Sequence, residues 1–315
     1  MRRWVSIVLF FLATSVVADV QVTLRNDWLR KYAGRATIEA QFTFDKAPTK
    51  IHPQKDDGEI HLAGRAPEIG LPTVAEVTNA RDIPNVLSFV QGLARNHETK
   101  HIVGAWRLWC EHAGQDPQVQ GEELEPFTTT NPEHLFEVHP LKSIADQDFS
   151  AGFTPIRGYT EKDATASFEK YENLVSHITV GTDEDGKPTT TIRTGVAGNN
   201  FVKFQLRLRE APADTDNKDG YFVMAQVEAL DGELLVHKRR MVFVKGTPPA
   251  TRVKSLGKDA CLVVLGMPRI SLALVNWRIN NTKNKKFKDV LNWNLPYEMI
   301  IVGTYDEECA ESKEE

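Results

Sequence analysis

Cysteine is scarce: Cys110, Cys261 and Cys309 are the three in a chain of 315 residues. So small a supply means that apolar cores, not a disulfide framework, must hold the chain together, and the odd count leaves at least one thiol free or shared between chains. A buried free thiol in each half is the expected state; Cys110 meets Cys261 only if the halves pack closely. Long apolar runs are missing beyond the first 18 residues, so no later segment has the roughly 20 apolar residues that a membrane-spanning helix needs. A glycine-rich phosphate loop, a Gly-x-Ser-x-Gly elbow, a Cys-x-x-Cys pair and a His-Glu-x-x-His helix are also absent. The common signatures of nucleotide, serine-hydrolase, thiol-redox and zinc-protease chemistry are therefore lacking.

What is present begins at the N-terminus. Arg2 and Arg3 precede a nearly unbroken apolar stretch from Trp4 to Val17, and Val16 and Ala18 occupy the small-residue positions of a cleavage site. This is the layout of a secretory signal peptide over 1–18. The expected product is a secreted or periplasmic chain of 297 residues starting at Asp19, with no cysteine there to carry a lipid anchor. Without Arg2 and Arg3 the 38 basic residues fall to 36 against 43 acidic ones, a net charge of −7. Broad nucleic-acid binding, which depends on neutralising phosphates, is disfavoured by that balance. The lysine run Lys283, Lys285, Lys286 and Lys288 reads as a solvated loop.

At about 100–200 residues per domain, this length predicts two domains. After an extension over 19–34, residues 35–148 show strand alternation at Ala36 to Phe44, Glu59 to Ala63 and Thr73 to Thr78. Ile83, Val86, Leu87, Val90 and Leu93 then fall on a helical stripe opened by Asp82. Strands resume at His101 to Cys110 and Leu135 to Ile144, separated by a long polar loop. Five strands with one helix between the third and fourth is the plan of an OB-like barrel. A linker over 149–157 leads to a second unit over 158–305. There Ala164, Phe168, Tyr171, Val175 and Ile178 predict one helix of four to five turns. Strands follow, among them a hairpin turning at Asp231-Gly232. Ser271 to Ile279 fits either a strand or a helix. No internal repeat is evident, and the acidic stretch 306–315 is expected to be disordered. The fold class is mainly β (α+β): an OB-like five-stranded barrel with one helix, then a helix plus antiparallel β-sheet domain.

Side chains on a strand alternate faces. One face of the first unit carries Ile60, Leu62, Val77, Trp106, Leu108, Phe136 and Val138, which should fill the barrel. The other carries Glu59, His61, Glu76, Arg107, Trp109, Glu137 and His139, with His112 just past the fourth strand. Two readings of this outer face compete. It is a solvated, hydrogen-bonded barrel surface, or it converges into a site. As a site it would bind a ligand or partner, provide an acid–base pair, or hold a divalent metal through His61, His112 and His139 with Glu76 or Glu137. Trp109 beside Arg107 is either a stacking platform for a ring or the seat of the second domain. The short linker favours the seat, through the helix over 161–177 or the strand after it.

These same segments carry a resemblance. Asp56-Asp57-Gly58-Glu59-Ile60-His61-Leu62, Val74-Ala75-Glu76-Val77, Gly104 to His112 and Phe136-Glu137-Val138-His139-Pro140 are similar to a domain of uncharacterised secreted bacterial proteins. About 100 residues are covered, and the resemblance implies an OB-like barrel and an extracytoplasmic location but no reaction. The leading expectation is a non-catalytic binding or scaffold protein for a protein, an oligosaccharide or another small ligand, with no cofactor. A metal-dependent hydrolase is the alternative.

Overall fold

The computed structural model describes residues 19–213, 218–282 and 290–313. The expected signal segment and the lysine run at 283–288 lie outside the described residues. Among those described, no helix is long and apolar enough to cross a membrane.

Seven residues that look like a free extension, β1 (Asp19–Arg25), pair along their whole length with a strand of the second half, and α1 (Asn26–Tyr32) follows directly. The first barrel comprises β2 (Thr37–Lys46), β3 (Ile60–Arg65), β4 (Thr73–Val77) and, after α2 (Val86–Arg95), β5 (Thr99–Leu108). The two-residue β6 (Gln118–Val119) lies in the long loop before β7 (Phe136–Ile144), the fifth barrel strand, and β8 (Gln147–Asp148) folds back on it. Strand pairing runs β3–β2–β5–β7 antiparallel, and a parallel β4–β7 contact closes the ring. Ile60, Leu62, Val77, Trp106, Leu108, Phe136 and Val138 are all fully buried. Asp82 does not cap α2: it ends a short 3-10 turn, and Asn85 is the residue before the helix.

The second half departs from its expected plan. α3 (Ala164–Asn173) is shorter than the apolar stripe suggests, with Asp163 accepting from the Ala166 N–H at 2.8 Å as its cap. Val175 is 48% exposed and Ile178 belongs to β9 (Ser176–Thr182). The β-branched run from Val175 to Val180 favours a strand once α3 ends. β9 pairs with β10 (Pro188–Gly195), which pairs with β1, giving a four-stranded sheet in the order β6-β1-β10-β9. The extension thus joins both halves, since β1 pairs with β10 on one side and β6 on the other and Trp28 Nε1 donates to Glu68 O.

A closed barrel, not an open antiparallel sheet, then forms from β11 (Val202–Leu208), β12 (Gly220–Glu228), β13 (Leu234–Val244), β14 (Cys261–Ile270) and β15 (Tyr297–Thr304). α4 (Pro248–Lys254) lies between its third and fourth strands, and Ser271 to Ile279 falls in or just before the helix α5 (Leu272–Asn281). β13 and β15 run parallel, as β4 and β7 do. The chain therefore contains two OB-like barrels of identical strand order. The repeat is visible in the sequence only once the registers are known. Gly104-Ala105-Trp106-Arg107-Leu108 matches Gly266-Met267-Pro268-Arg269-Ile270, and Phe136-Glu137 matches Tyr297-Glu298. Arg107 pairs across the strands with Glu137, and Arg269 with Glu298. Both glycines sit at register shifts where neither tolerates a side chain. A Cβ on Gly104 would lie 2.5 Å from Val138, and one on Gly266 2.8 Å from Phe204.

The two arginines lock the barrels together reciprocally. Arg107 Nε donates to Pro268 O at 3.1 Å, and Arg269 Nη1 donates to Trp106 O at 3.0 Å, each reaching the residue before the other arginine. Asp219 adds a second fastening, accepting from the backbone N–H of Ala36 and Thr37 at 3.0 Å each.

One cysteine follows expectation and one does not. Cys261 and Cys309 form a disulfide, and Cys110 is a buried free thiol. The bridge ties the acidic tail back to the second barrel, and backbone groups of the tail's described residues bond there too. The Ala310 N–H donates to Gln205 Oε1 at 2.5 Å and the Lys313 N–H to Gly232 O at 2.9 Å. Burial pushes the Cys110 thiol up to about 11, so little thiolate exists near neutrality. In a thiol-reagent assay near neutral pH, the native protein should therefore show no fast-reacting thiol. Denaturant alone should release one thiol, and denaturant with reductant three. Three thiols without reductant would contradict the pairing.

Candidate functional site

β3, β4 and β7 present alternate side chains on the barrel's outer face, and the second half covers that face. His61 stands opposite Glu76, and Glu137 opposite Arg107. Glu59, Glu76, Arg107, Trp109, Glu137 and His139 are all at most 3% exposed. His61 keeps 12% of its side chain accessible, and His112 33%. The solvated-surface reading of this face is thereby excluded. Trp109 is no stacking platform: Tyr171 of α3 and Tyr297 of β15 pack edge-on against it at 5.6 and 6.4 Å.

His139 is the hub. Its Nε2 lies 2.8 Å from Glu59 Oε1, and its Nδ1 lies 3.0 Å from Glu76 Oε2 and 3.3 Å from Glu137 Oε2. Burial works against its charge, but Glu76 and Glu59 outweigh it and hold the imidazolium well above the usual histidine range. Arg107 donates to Glu137 at 2.5 Å, to Glu111 at 3.0 Å and to the side-chain oxygen Oδ1 of Asn200. Burial raises the Glu137 pKa, but Arg107 and the two histidines, His134 and His139, more than reverse this and hold it well below the carboxylate range. Glu59 is likewise drawn down to about 2 by His139 and His61 against the cost of burial.

Glu76 is the exception. Burial lifts it to about 7, because His139 and His61 only partly compensate and the neighbouring Glu137 and Glu59 repel its charge. His61 overcomes burial through Glu76, Glu59 and Asp57 and rises to about 9. Its Nε2 is buried and makes no hydrogen bond, standing 3.5 Å from Glu76 Oε2 and 3.7 Å from Glu59 Oε2.

His61 also lines a cavity of about 170 Å³. One wall is Glu59, His61, Glu76 and the β2–β3 loop residues Asp56 and Asp57. Glu111 and His112 from the β5–β7 loop form a second. The third belongs to the second half: Tyr159, Lys162, Asn199, Asn200 and Phe201. Phe201 packs edge-on to His139 at 5.5 Å with φ +56°, a backbone region that bulky residues avoid. Asn199 and Asn200 were not readable as site residues. The signal, in retrospect, is the turn-type run Gly198-Asn199-Asn200 just before a strand. His134 lies three residues before Glu137 and was hidden at the end of the long loop.

Metal-ligand geometry does not unite His61, His112 and His139. His112 stacks on His134 at 5.1 Å and belongs to no cluster of ligand atoms among the described residues. The clusters are Glu59, His61 and Glu76; Glu76, Glu137 and His139; and His52, Asp57 and His61.

Registers allow a direct comparison of the two barrels. Counted from the arginine-paired glutamates, His139, Glu76 and His61 correspond to Ile300, Val242 and Phe222. That apolar patch is covered by Phe153 and Ile156 of the linker. The same fold thus places apolar side chains on its equivalent face, with the Arg240 guanidinium 4.1 Å over the partly buried Phe222 ring.

No protein-family model matches the chain, and no curated protein does. Among solved structures, it aligns with the wild-type single-stranded DNA binding protein from Thermus aquaticus at 9% identity and a TM-score of 0.22, covering 89% of this chain and 95% of that one. A deletion mutant of that protein aligns at 10% identity with the same TM-score, covering 89% of this chain and 96% of the mutant. The OB-like assignment rests on strand order and pairing, not on these alignments.

Proposed function

We propose that the chain is an extracytoplasmic binding protein that holds a small cationic ligand between its two halves. The observation that carries this reading is the contrast between the barrels: equivalent positions are His61, Glu76 and His139 in one and Phe222, Val242 and Ile300 in the other. Burying charged groups is costly where hydrocarbon would serve, so the polar set calls for a use beyond folding. Position supports the reading. In OB-like barrels the face of strands two and three, with the loops joining strands one–two and four–five, is the usual ligand surface; here those parts supply Glu76, Asp57 and Glu111. Carboxylates outnumber cations around the cavity, which favours a positive ligand and disfavours phosphate. At about 170 Å³ the cavity falls below the roughly 300–1,000 Å³ of drug-sized sites, too small to enclose an oligosaccharide or an oligonucleotide. The Cys261–Cys309 bridge supports an oxidising compartment, in line with the expected signal segment.

The test is thermal denaturation of the mature chain against a panel of diamines, amino sugars, divalent metal ions, neutral oligosaccharides and oligonucleotides. Small cations are expected to raise the Tm, by the equivalent of about 2.7 kcal/mol at one hundred times Kd. A panel in which only oligonucleotides or neutral glycans act, or none does, would overturn the proposal.

A further inference from the structure

We infer that Glu59, His61 and Glu76, on one wall of the interface cavity, form a centre for one divalent metal ion of the zinc class. This rests on the binding role proposed above and assigns its ligand. His61 Nε2 is the first observation. A buried nitrogen without a hydrogen bond is costly, yet two carboxylate oxygens stand at 3.5 and 3.7 Å from it. Those separations are long for hydrogen bonds. The shorter falls within, and the longer just beyond, the ligand–ligand edges of roughly 3.3–3.6 Å expected for a tetrahedral ion with bonds of about 2.0–2.2 Å.

The surroundings fit the same assignment. His139 binds Glu59 through Oε1, leaving Oε2 turned toward His61. Its Nδ1 lies 3.0 Å from Glu76 Oε2, the oxygen that also faces His61, so His139 contacts both carboxylates, as outer partners that orient ligating groups do. Two glutamates and one imidazole would neutralise a divalent ion. The other clusters are committed elsewhere: Glu137 is taken by Arg107 and His134, and His52 Nδ1 lies 3.0 Å from Asp57. Oxygen and imidazole donors without thiolate suit zinc or manganese better than copper(I).

The experiment uses the full mature chain, stripped with a chelator, then titrated calorimetrically with zinc and, in parallel, manganese chloride. One equivalent should bind. His61→Ala and Glu76→Gln should each weaken binding by more than the roughly 10–100-fold that loss of an outer partner costs, while His101→Ala, at an exposed site on β5, leaves it unchanged. Circular dichroism confirms that the variants fold. X-ray absorption on the loaded wild-type chain is independent of any variant and should show only nitrogen and oxygen donors. Absence of binding, undiminished binding in both folded variants, or a sulfur donor would overturn the assignment. If metals fail while organic cations raise the Tm, the metal centre is wrong and the binding role survives; if neither acts, both fail.

Discussion

Replacing Arg269 by methionine is expected to cost about 3–5 kcal/mol of stability, the range for breaking a buried ion pair by removing one partner. Arg269 is fully buried, and Nε donates to Glu298 at 2.7 Å. The same guanidinium donates to the carbonyls of Ala36, Trp106 and Arg35 in the first half at 3.0–3.3 Å, and it lies over the Trp106 ring at 3.6 Å. Burial lowers its pKa to about 10, so it stays charged at neutrality. Methionine would fill the space but strand Glu298, 1% exposed, and three carbonyl oxygens. Arg240 Nε, 3.4 Å from Glu298, offers only partial relief. Urea denaturation measures the loss. The double variant Arg269→Met with Glu298→Leu should lose less than the sum of the singles, since it removes the stranded charge. A loss below about 1 kcal/mol for the single variant would mean that the arginine is not a lock between the barrels.

The first barrel was legible because its strands, though buried on both faces, alternate apolar with charged side chains, so Glu59-Ile60-His61-Leu62 and Arg107-Leu108 announce their two faces. The second barrel was not. β14 and β15 are buried on both faces, and a strand of that kind reads as a plain apolar run with no period. The role of 19–25 was hidden because its partner β10 lies far along the chain, at Asp19↔Gly195. Disulfide connectivity cannot be deduced from spacing; once Cys309 is bonded, the tail loses the freedom that its composition suggests.

Half of the site was legible for the same reason as the first barrel: alternation put Glu59, His61, Glu76, Glu137 and His139 on one face. Alternation cannot show what covers a face. The short linker pointed to the second half, and Tyr171, Phe201 and Asn200 supply the cover. The choice of ligand atoms was beyond the sequence too. His61 and His112 look alike as imidazoles near strands, yet one aims a bare nitrogen at two carboxylates and the other stacks on His134.

The central claim is that the polar set between the barrels serves a ligand and not the fold. It is tested most directly by giving the first barrel the second's hydrocarbon side chains at His61, Glu76 and His139 and making Glu59, whose counterpart is Gly220, apolar as well. In the variant Glu59→Leu, His61→Phe, Glu76→Val and His139→Ile, Glu137 keeps its bonds from Arg107 and His134. Hydrophobic replacement of a buried ionic network is often neutral or stabilising by about 1–4 kcal/mol. The measurement is urea denaturation of the metal-free variant beside metal-free wild type, with zinc titration of both. The account predicts a variant at least as stable as wild type that has lost zinc binding altogether. A folded variant weakened by several kcal/mol, or one that binds zinc as wild type does, would contradict it.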